Sequence, residues 1–205
     1  MQIAYGNQAV WVSTQFDRSR ATRGSLIAAA RELFVDQGFE GTSIEAVVRQ
    51  AGVTRGAFYH HFKDKTALFA AVVVEVERGL IDRLEASPPP QGDPFVKLAY
   101  GIDTFFERCL DPAVGQIVLL EGPRILGWGR WSSIEREFGR ALVELPLQEA
   151  EQRGLLRPVP YDTLAHVLFG VLVEGAMLMA SSADPYETRA ELQQVMQVVI
   201  DGLRA

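Results

Sequence analysis

A single cysteine, Cys109, stands in the 205 residues, so no disulfide can close within the chain and a disulfide-stapled secreted scaffold is excluded. Histidine is scarce too: His60, His61 and His166 are all there is. With Cys109 they show neither paired-cysteine nor His-Glu-x-x-His spacing, so no metal and no other cofactor is expected. A glycine-rich phosphate loop and a nucleophile elbow are both missing. The most apolar stretch, residues 164–179, is interrupted by His166 and Glu174 and reads as too short and too polar to cross a membrane. The first 16 residues lack the basic start and continuous apolar run of a signal peptide. Together these absences predict a cytoplasmic protein with no membrane partner.

Basic residues are outnumbered, 20 against 26 acidic, for a net charge of -6 and a pI near 5.2. Taken as an average, that argues against nucleic acid, whose phosphates attract basic surfaces. The average conceals a division. Residues 18–65 hold eight basic and five acidic side chains and net +3, which leaves -9 on the remainder. A modestly basic N-terminal part and a strongly acidic larger part face different partners.

Helical periodicity runs almost throughout, and no alternating strand pattern appears. Residues 1–17 read as an extension, either a short arm anchored by Trp11 or a disordered tail. A first helix is predicted over about 22–37, stopped by Gly38. Thr42-Ser43-Ile44-Glu45 has the form of a capping box. A short helix follows, broken at Ala51-Gly52-Val53, and Thr54 caps a second short helix ending near His61. Further helices are expected over about 65–84, from Asp93-Pro94, from Asp111-Pro112, over about 131–153 with a kink or break at Pro146, over 164–180 and over 188–203. The predicted class is all-α: a three-helix, helix-turn-helix head at 18–66 and a larger helical body at 67–205.

Two short helices joined by a tight turn make a helix-turn-helix. Ile44, Val47 and Val48 face inward with Phe58 and Phe62. Arg55 with Tyr59, and Gly56 with His60, lie four apart on faces free of core duty. An arginine there can bond the acceptor edge of guanine, and Thr54 can reach base edges or phosphate. Helix-turn-helix geometry also occurs in proteins that never touch DNA, and on the turn alone the two readings are balanced.

The longer string decides. Gly38-Phe39-Glu40-Gly41-Thr42-Ser43-Ile44, followed by Ala51-Gly52-Val53-Thr54-Arg55-Gly56-Ala57-Phe58-Tyr59-His60-His61-Phe62-Lys63-Asp64-Lys65, resembles the DNA-binding domain of the tetracycline-repressor (TetR) family over about residues 20–68. Val48 departs from the small residue many helix-turn-helix proteins place there. The resemblance implies that Thr54, Arg55, Gly56 and His60 lie nearest the bases of a double-stranded operator, and that Thr42, Ser43, Tyr59 and Lys65 lie against its backbone; Lys63 is a further DNA-binding candidate. Arg18, Arg20 and Arg23, placed just before the first helix, form either an arm toward phosphate or the minor groove or a solvated tail; Arg23 is carried among the DNA-binding candidates.

For the body the resemblance implies a homodimer, a pocket for a small-molecule effector of unknown identity, and release of a pseudo-palindromic operator when the pocket fills. The fitting assignment is a cytoplasmic, nucleoid-bound bacterial regulator, a repressor by analogy. Dimer candidates are Leu164, Leu168, Val171, Leu172, Gly175, Leu178, Leu192, Val195, Met196, Val199 and Leu203; burial within one protomer is the competing reading of the all-round apolar helix. Pocket candidates are Phe105, Phe106, Cys109, Trp128, Trp131, His166 and Phe169, with Arg124 and Glu174 as polar anchors, although most of these side chains also suit a plain core. Two other classes stay open: a helical dimer that binds a small molecule or protein without regulating DNA, and a small helical enzyme whose site would have to be assembled from Glu121, His166 and Glu174.

Overall fold

Helix follows helix along the computed structural model, which describes residues 6–205, with side chains from residue 17 onward apart from 80, 84 and 85. The elements are α1 (Gly6–Gly41), α2 (Ile44–Gln50), α3 (Arg55–His61), α4 (Lys65–Ala86), α5 (Pro94–Arg108), a π-helical segment (Val114–Glu121), α6 (Gly122–Leu126), α7 (Trp128–Gly139), α8 (Ala141–Gln152), α9 (Tyr161–Ser181) and α10 (Pro185–Leu203). No strand forms among the described residues; one isolated antiparallel bridge joins Leu156 to Arg204. Residues 1–5 and the Trp11 side chain lie outside what is described.

α1 begins well before the expected residue 22, because nothing between Gly6 and Gly24 breaks a helix. Arg18, Arg20 and Arg23 therefore project from a helix and form no arm ahead of one. The helix breaks at Gly38, where φ is 69°. The expected capping box is also rearranged. Ser43, not Thr42, caps α2, its Oγ accepting from the Ala46 amide at 3.1 Å. Thr42 is buried and its hydroxyl approaches the carbonyls of Gly38 at 2.8 Å and Leu33 at 3.2 Å, closing the end of α1 instead.

Contacts divide the chain after Val72, inside α4, not at the expected residue 66. The reason is the first unit's core. Phe69 meets Phe34 and Phe39 edge-on, with centroids 5.2 Å apart in each pair, and Leu68 is fully buried, so the start of α4 belongs with α1–α3.

In the second unit α5 packs on α8 and α10, and α9 packs on α8, α10 and the π segment. The stretch expected to kink or break at Pro146 breaks at Arg140 instead, which closes α7 and opens α8. Pro146 stays inside α8. Its missing N–H cannot serve Leu142 O, and Gly101 of α5 packs so near that a Cβ there would lie 3.2 Å from this carbonyl. α9 starts three residues earlier than expected and, at 21 residues with an apolar window of mean hydropathy 1.8, is long and apolar enough to cross a membrane by length and composition. This corrects the earlier exclusion, although 44% of that apolar window is buried in the unit.

A buried charge cluster joins α4, α5 and α7. Glu77, Arg108 and Glu135 are 1%, 3% and 3% exposed. Arg108 Nη2 donates to Glu77 Oε1 at 2.8 Å and to Val76 O at 3.1 Å. One guanidinium cannot balance two buried carboxylates, and Glu135 Oε1 has no hydrogen-bond partner. Burial, and then the neighbouring Glu77, push the Glu135 carboxyl well above the usual range, against the pull of Arg108. Glu135 thus stays protonated and bonds to Glu77 as a neutral acid. Because its folded-state pKa lies above that of the unfolded chain, the folded protein holds an extra proton between the two values. The contribution of Glu135 to stability therefore falls as pH rises above about 4.3, by at most about 1.4 kcal/mol per pH unit. Glu135→Gln is expected to flatten that slope and to stabilise the protein at pH 8, read as urea midpoints from pH 5 to 9.

Candidate nucleic-acid interface

α2 and α3 are seven residues each, too short to persist alone. They are held through Val47, Phe58 and Phe62, all buried in the first unit. The linking turn places Gly52 at φ 66°, and Thr54 caps α3, its Oγ1 accepting from the Ala57 amide at 3.1 Å. Burying Phe58 turns the opposite face of α3 outward, so Thr54, Arg55, Gly56, Tyr59 and His60 are all exposed.

Arg55 is not loose on this surface. Its guanidinium pairs with Glu45 of α2, lies 5.7 Å from the Tyr59 ring centroid and reaches the Tyr59 hydroxyl at 3.4 Å. The His60 and His61 rings lie 5.0 Å apart. Burial, then His60 and Arg23, lower the pKa of the half-buried His61, so it is neutral at pH 7. Gly56 has open space at its Cβ position, with nothing nearer than Thr54 Oγ1 at 3.8 Å. Glycine inside a helix costs about 0.5–1 kcal/mol relative to alanine, and no contact of this chain requires it here.

Of the other expected DNA contacts, Ser43 and Lys63 are exposed, Lys63 lying 3.8 Å from Asp64. Arg23 projects from α1 with its guanidinium 5.2 Å from the Phe62 ring centroid. Thr42 and Lys65 are placed otherwise. Thr42 is turned inside, and the Lys65 ammonium donates to Phe39 O at 2.6 Å and Thr42 O at 2.9 Å, 4.2 Å from the Phe39 ring centroid. Lys65 serves the carbonyls left over at the end of α1. Glu45 was missed from sequence, since a partner ten residues away leaves no periodic trace.

The expected pocket residues fall into two groups. Phe105, Phe106, Cys109, Trp131 and Phe169 are core. Trp131 donates to Val118 O at 2.8 Å and packs so tightly that a Cβ on Gly122 would come within 2.6 Å of its ring. Burial pushes the Cys109 thiol far up, which leaves it unreactive. Arg124, Trp128, His166 and Glu174 are exposed. None of the nine lines a cleft of about 360 Å³ that the second unit holds, walled by residues of α4, α5, α7 and α8 with Pro89. Of the expected dimer residues, Leu168, Leu172, Gly175 and Met196 are buried in their own unit and Leu164, Leu192 and Leu203 are half-buried. Val171, Leu178, Val195 and Val199 are exposed, alongside Val167 and Val198, which were not foreseen.

A short helix with a polar outward face, carried on a second helix by a buried seam, is the geometry of a helix-turn-helix. Comparison with known proteins identifies which kind. The profile for bacterial regulatory proteins of the tetR family matches residues 26–72, and that for the tetracyclin repressor-like C-terminal domain matches 96–203. The HTH-type transcriptional regulator UidR of Escherichia coli K12 is 32% identical over 190 residues, covering 90% of this chain and 94% of its own. A crystal structure of a TetR-family transcriptional regulator from Pectobacterium atrosepticum superposes with a TM-score of 0.80 at 28% identity, covering 92% of this chain and 97% of the other. FadR of Bacillus subtilis, solved in complex with stearoyl-CoA, shares the fold with a TM-score of 0.71 at 20% identity, covering 87% and 98%. The chain belongs to the TetR family of transcriptional regulators.

Two lysines two residues apart should then behave oppositely. Lys63→Ala is expected to leave stability unchanged and to lower the log–log salt slope of DNA binding by about 0.9. Lys65→Met should instead destabilise the protein by about 1–3 kcal/mol, by removing the ammonium from Thr42 O and from Phe39 O, the latter keeping only the Thr42 amide at 3.3 Å. Urea titration and salt-dependent DNA binding separate the two.

Proposed function

We propose that this regulator acts as a homodimeric repressor in the bacterial cytoplasm, occupying a pseudo-palindromic operator until a small molecule bound in the second unit releases it. The observation that carries the reading is the uncovered apolar surface of the last two helices. Val167, Val171 and Leu178 make one exposed stripe along α9, and Val195, Val198 and Val199 another on α10. A two-fold axis brings each stripe against its own copy, which keeps both out of water. Two α3 helices about 34–36 Å apart then meet successive major grooves on one face of the duplex. On the DNA, Thr54, Arg55, Gly56 and His60 read bases, while Ser43, Tyr59, Lys63 and Arg23 hold the backbone.

The cleft walled by α4, α5, α7 and α8 takes the effector. That FadR of Bacillus subtilis, which shares this fold, is solved with stearoyl-CoA supports a small-molecule effector. α4 carries Leu68 and Phe69 in the first unit and Ile81 at the cleft, so a ligand that moves α4 moves residues of both. A coupling of about 1–3 kcal/mol suffices for roughly 5–150-fold release.

Selection from random duplex DNA tests the reading. It should enrich a pseudo-palindrome with half-site centres about 10 base pairs apart; an unsymmetrical product or none would refute it. On the selected duplex, Arg55→Ala should weaken binding about tenfold or more. Gly56→Ala should stabilise the fold by about 0.5–1 kcal/mol while weakening the same complex; a tightened complex would contradict a close approach of the Gly56 backbone to the bases. Val171→Glu should yield monomer by light scattering at micromolar concentration, with specific affinity lost.

A further inference from the structure

The cleft walled by α4, α5, α7 and α8 is largely apolar; its polar side chains are Tyr100, whose hydroxyl is bonded to Ser87, and one ion pair. Ile81, Phe138, Leu142, Leu145 and Pro146 supply much of its wall, and the charged side chains lining it are Lys97 of α5 and Glu149 of α8. Lys97 Nζ donates to Glu149 Oε2 at 2.6 Å. The other carboxylate oxygen, Oε1, accepts from Arg153 Nη1 at 3.2 Å, and the same Arg153 atom donates to Gly92 O at 2.8 Å. Glu149 is thus held by two cations, and the three side chains together carry a net +1.

That asymmetry selects the charge of the ligand. A ligand carboxylate that takes Lys97 leaves Glu149 on Arg153, so every charge keeps a counter-ion. A ligand ammonium that takes Glu149 must displace two cations and leave the half-buried Lys97 unpaired, which is unfavourable in a partly desolvated site. An uncharged ligand leaves the ion pair closed across the cleft wall and gains only apolar contact. At about 360 Å³ the space accommodates a small ligand. We propose that the effector is an amphiphilic monoanion, its apolar body in the cleft and its carboxylate on Lys97 Nζ in place of Glu149. The inference rests on the effector reading above and gives its ligand a chemical class.

Calorimetric titration of the full chain with decanoate, decan-1-ol and decyltrimethylammonium, all below micelle-forming concentrations, tests it. Decanoate should bind about tenfold or more tighter than either of the others. Lys97→Met should bring decanoate down to the level of decan-1-ol, while Glu149→Gln should retain or tighten decanoate binding by freeing Lys97. That gain cannot come from a variant that merely misfolds. Equal binding of decan-1-ol and decanoate, preference for the ammonium, indifference to Lys97→Met, or no binding of decanoate overturns the inference. Release of the selected operator, followed in parallel by fluorescence anisotropy, separates the two claims. Lys97-dependent decanoate binding without release upholds the anion site and refutes the cleft as effector site. Release by another small molecule that Ala141→Trp abolishes and Lys97→Met does not affect upholds the effector site and refutes the anion.

Discussion

The burial of Phe58 and Phe62 is the constraint on which this regulator rests. A seven-residue helix has no stability of its own; α3 exists because two aromatic rings on one side of it are buried in the core of the first unit. That seam fixes the rotation of the helix, and the rotation decides which side chains meet a partner. Arg55, Gly56, Tyr59 and His60 are outward because Phe58 is inward. The surrounding devices keep the seam in register: Ser43 and Thr54 at the two helix starts, and Thr42 and Lys65 at the end of α1. Polar residues that look available for DNA are partly spent on holding the helices that present the others.

The second unit shows the same economy with buried charge. Glu77, Arg108 and Glu135 link three helices at the expense of a carboxyl that must stay protonated. Lys97, Glu149 and Arg153 carry the opposite imbalance at the cleft, where one more cation than anion leaves a place for a ligand's charge. A protein of net charge -6 thus carries a local positive excess over residues 18–65 and another at one edge of the cleft.

Much of this was legible in the sequence, and the reasons are local. The all-α class, the helix-turn-helix and the outward face of α3 follow from the spacing of apolar residues and from cap residues adjacent in the chain. What was misread depended on distant partners. Lys65 was taken for a phosphate contact because its acceptors, Phe39 O and Thr42 O, lie more than twenty residues away. Lys97 and Glu149 are 52 residues apart, and no periodicity announces them. The large aromatic side chains that seemed to promise a pocket, Phe105, Phe106 and Trp131, went to the core, where large apolar surface is most stabilised. Pro146 was expected to kink or break its helix; it does not break it and lies within α8, its lost hydrogen bond facing the close approach of Gly101.

The central claim is that α3 enters the major groove twice on one operator. Methylation interference on the selected duplex addresses it most directly, because dimethyl sulfate modifies guanine N7 on the major-groove edge. The account requires interference at guanines in two symmetric clusters about one helical turn apart, on one face of the duplex. Interference confined to a single half-site, or binding indifferent to N7 methylation throughout, would contradict it.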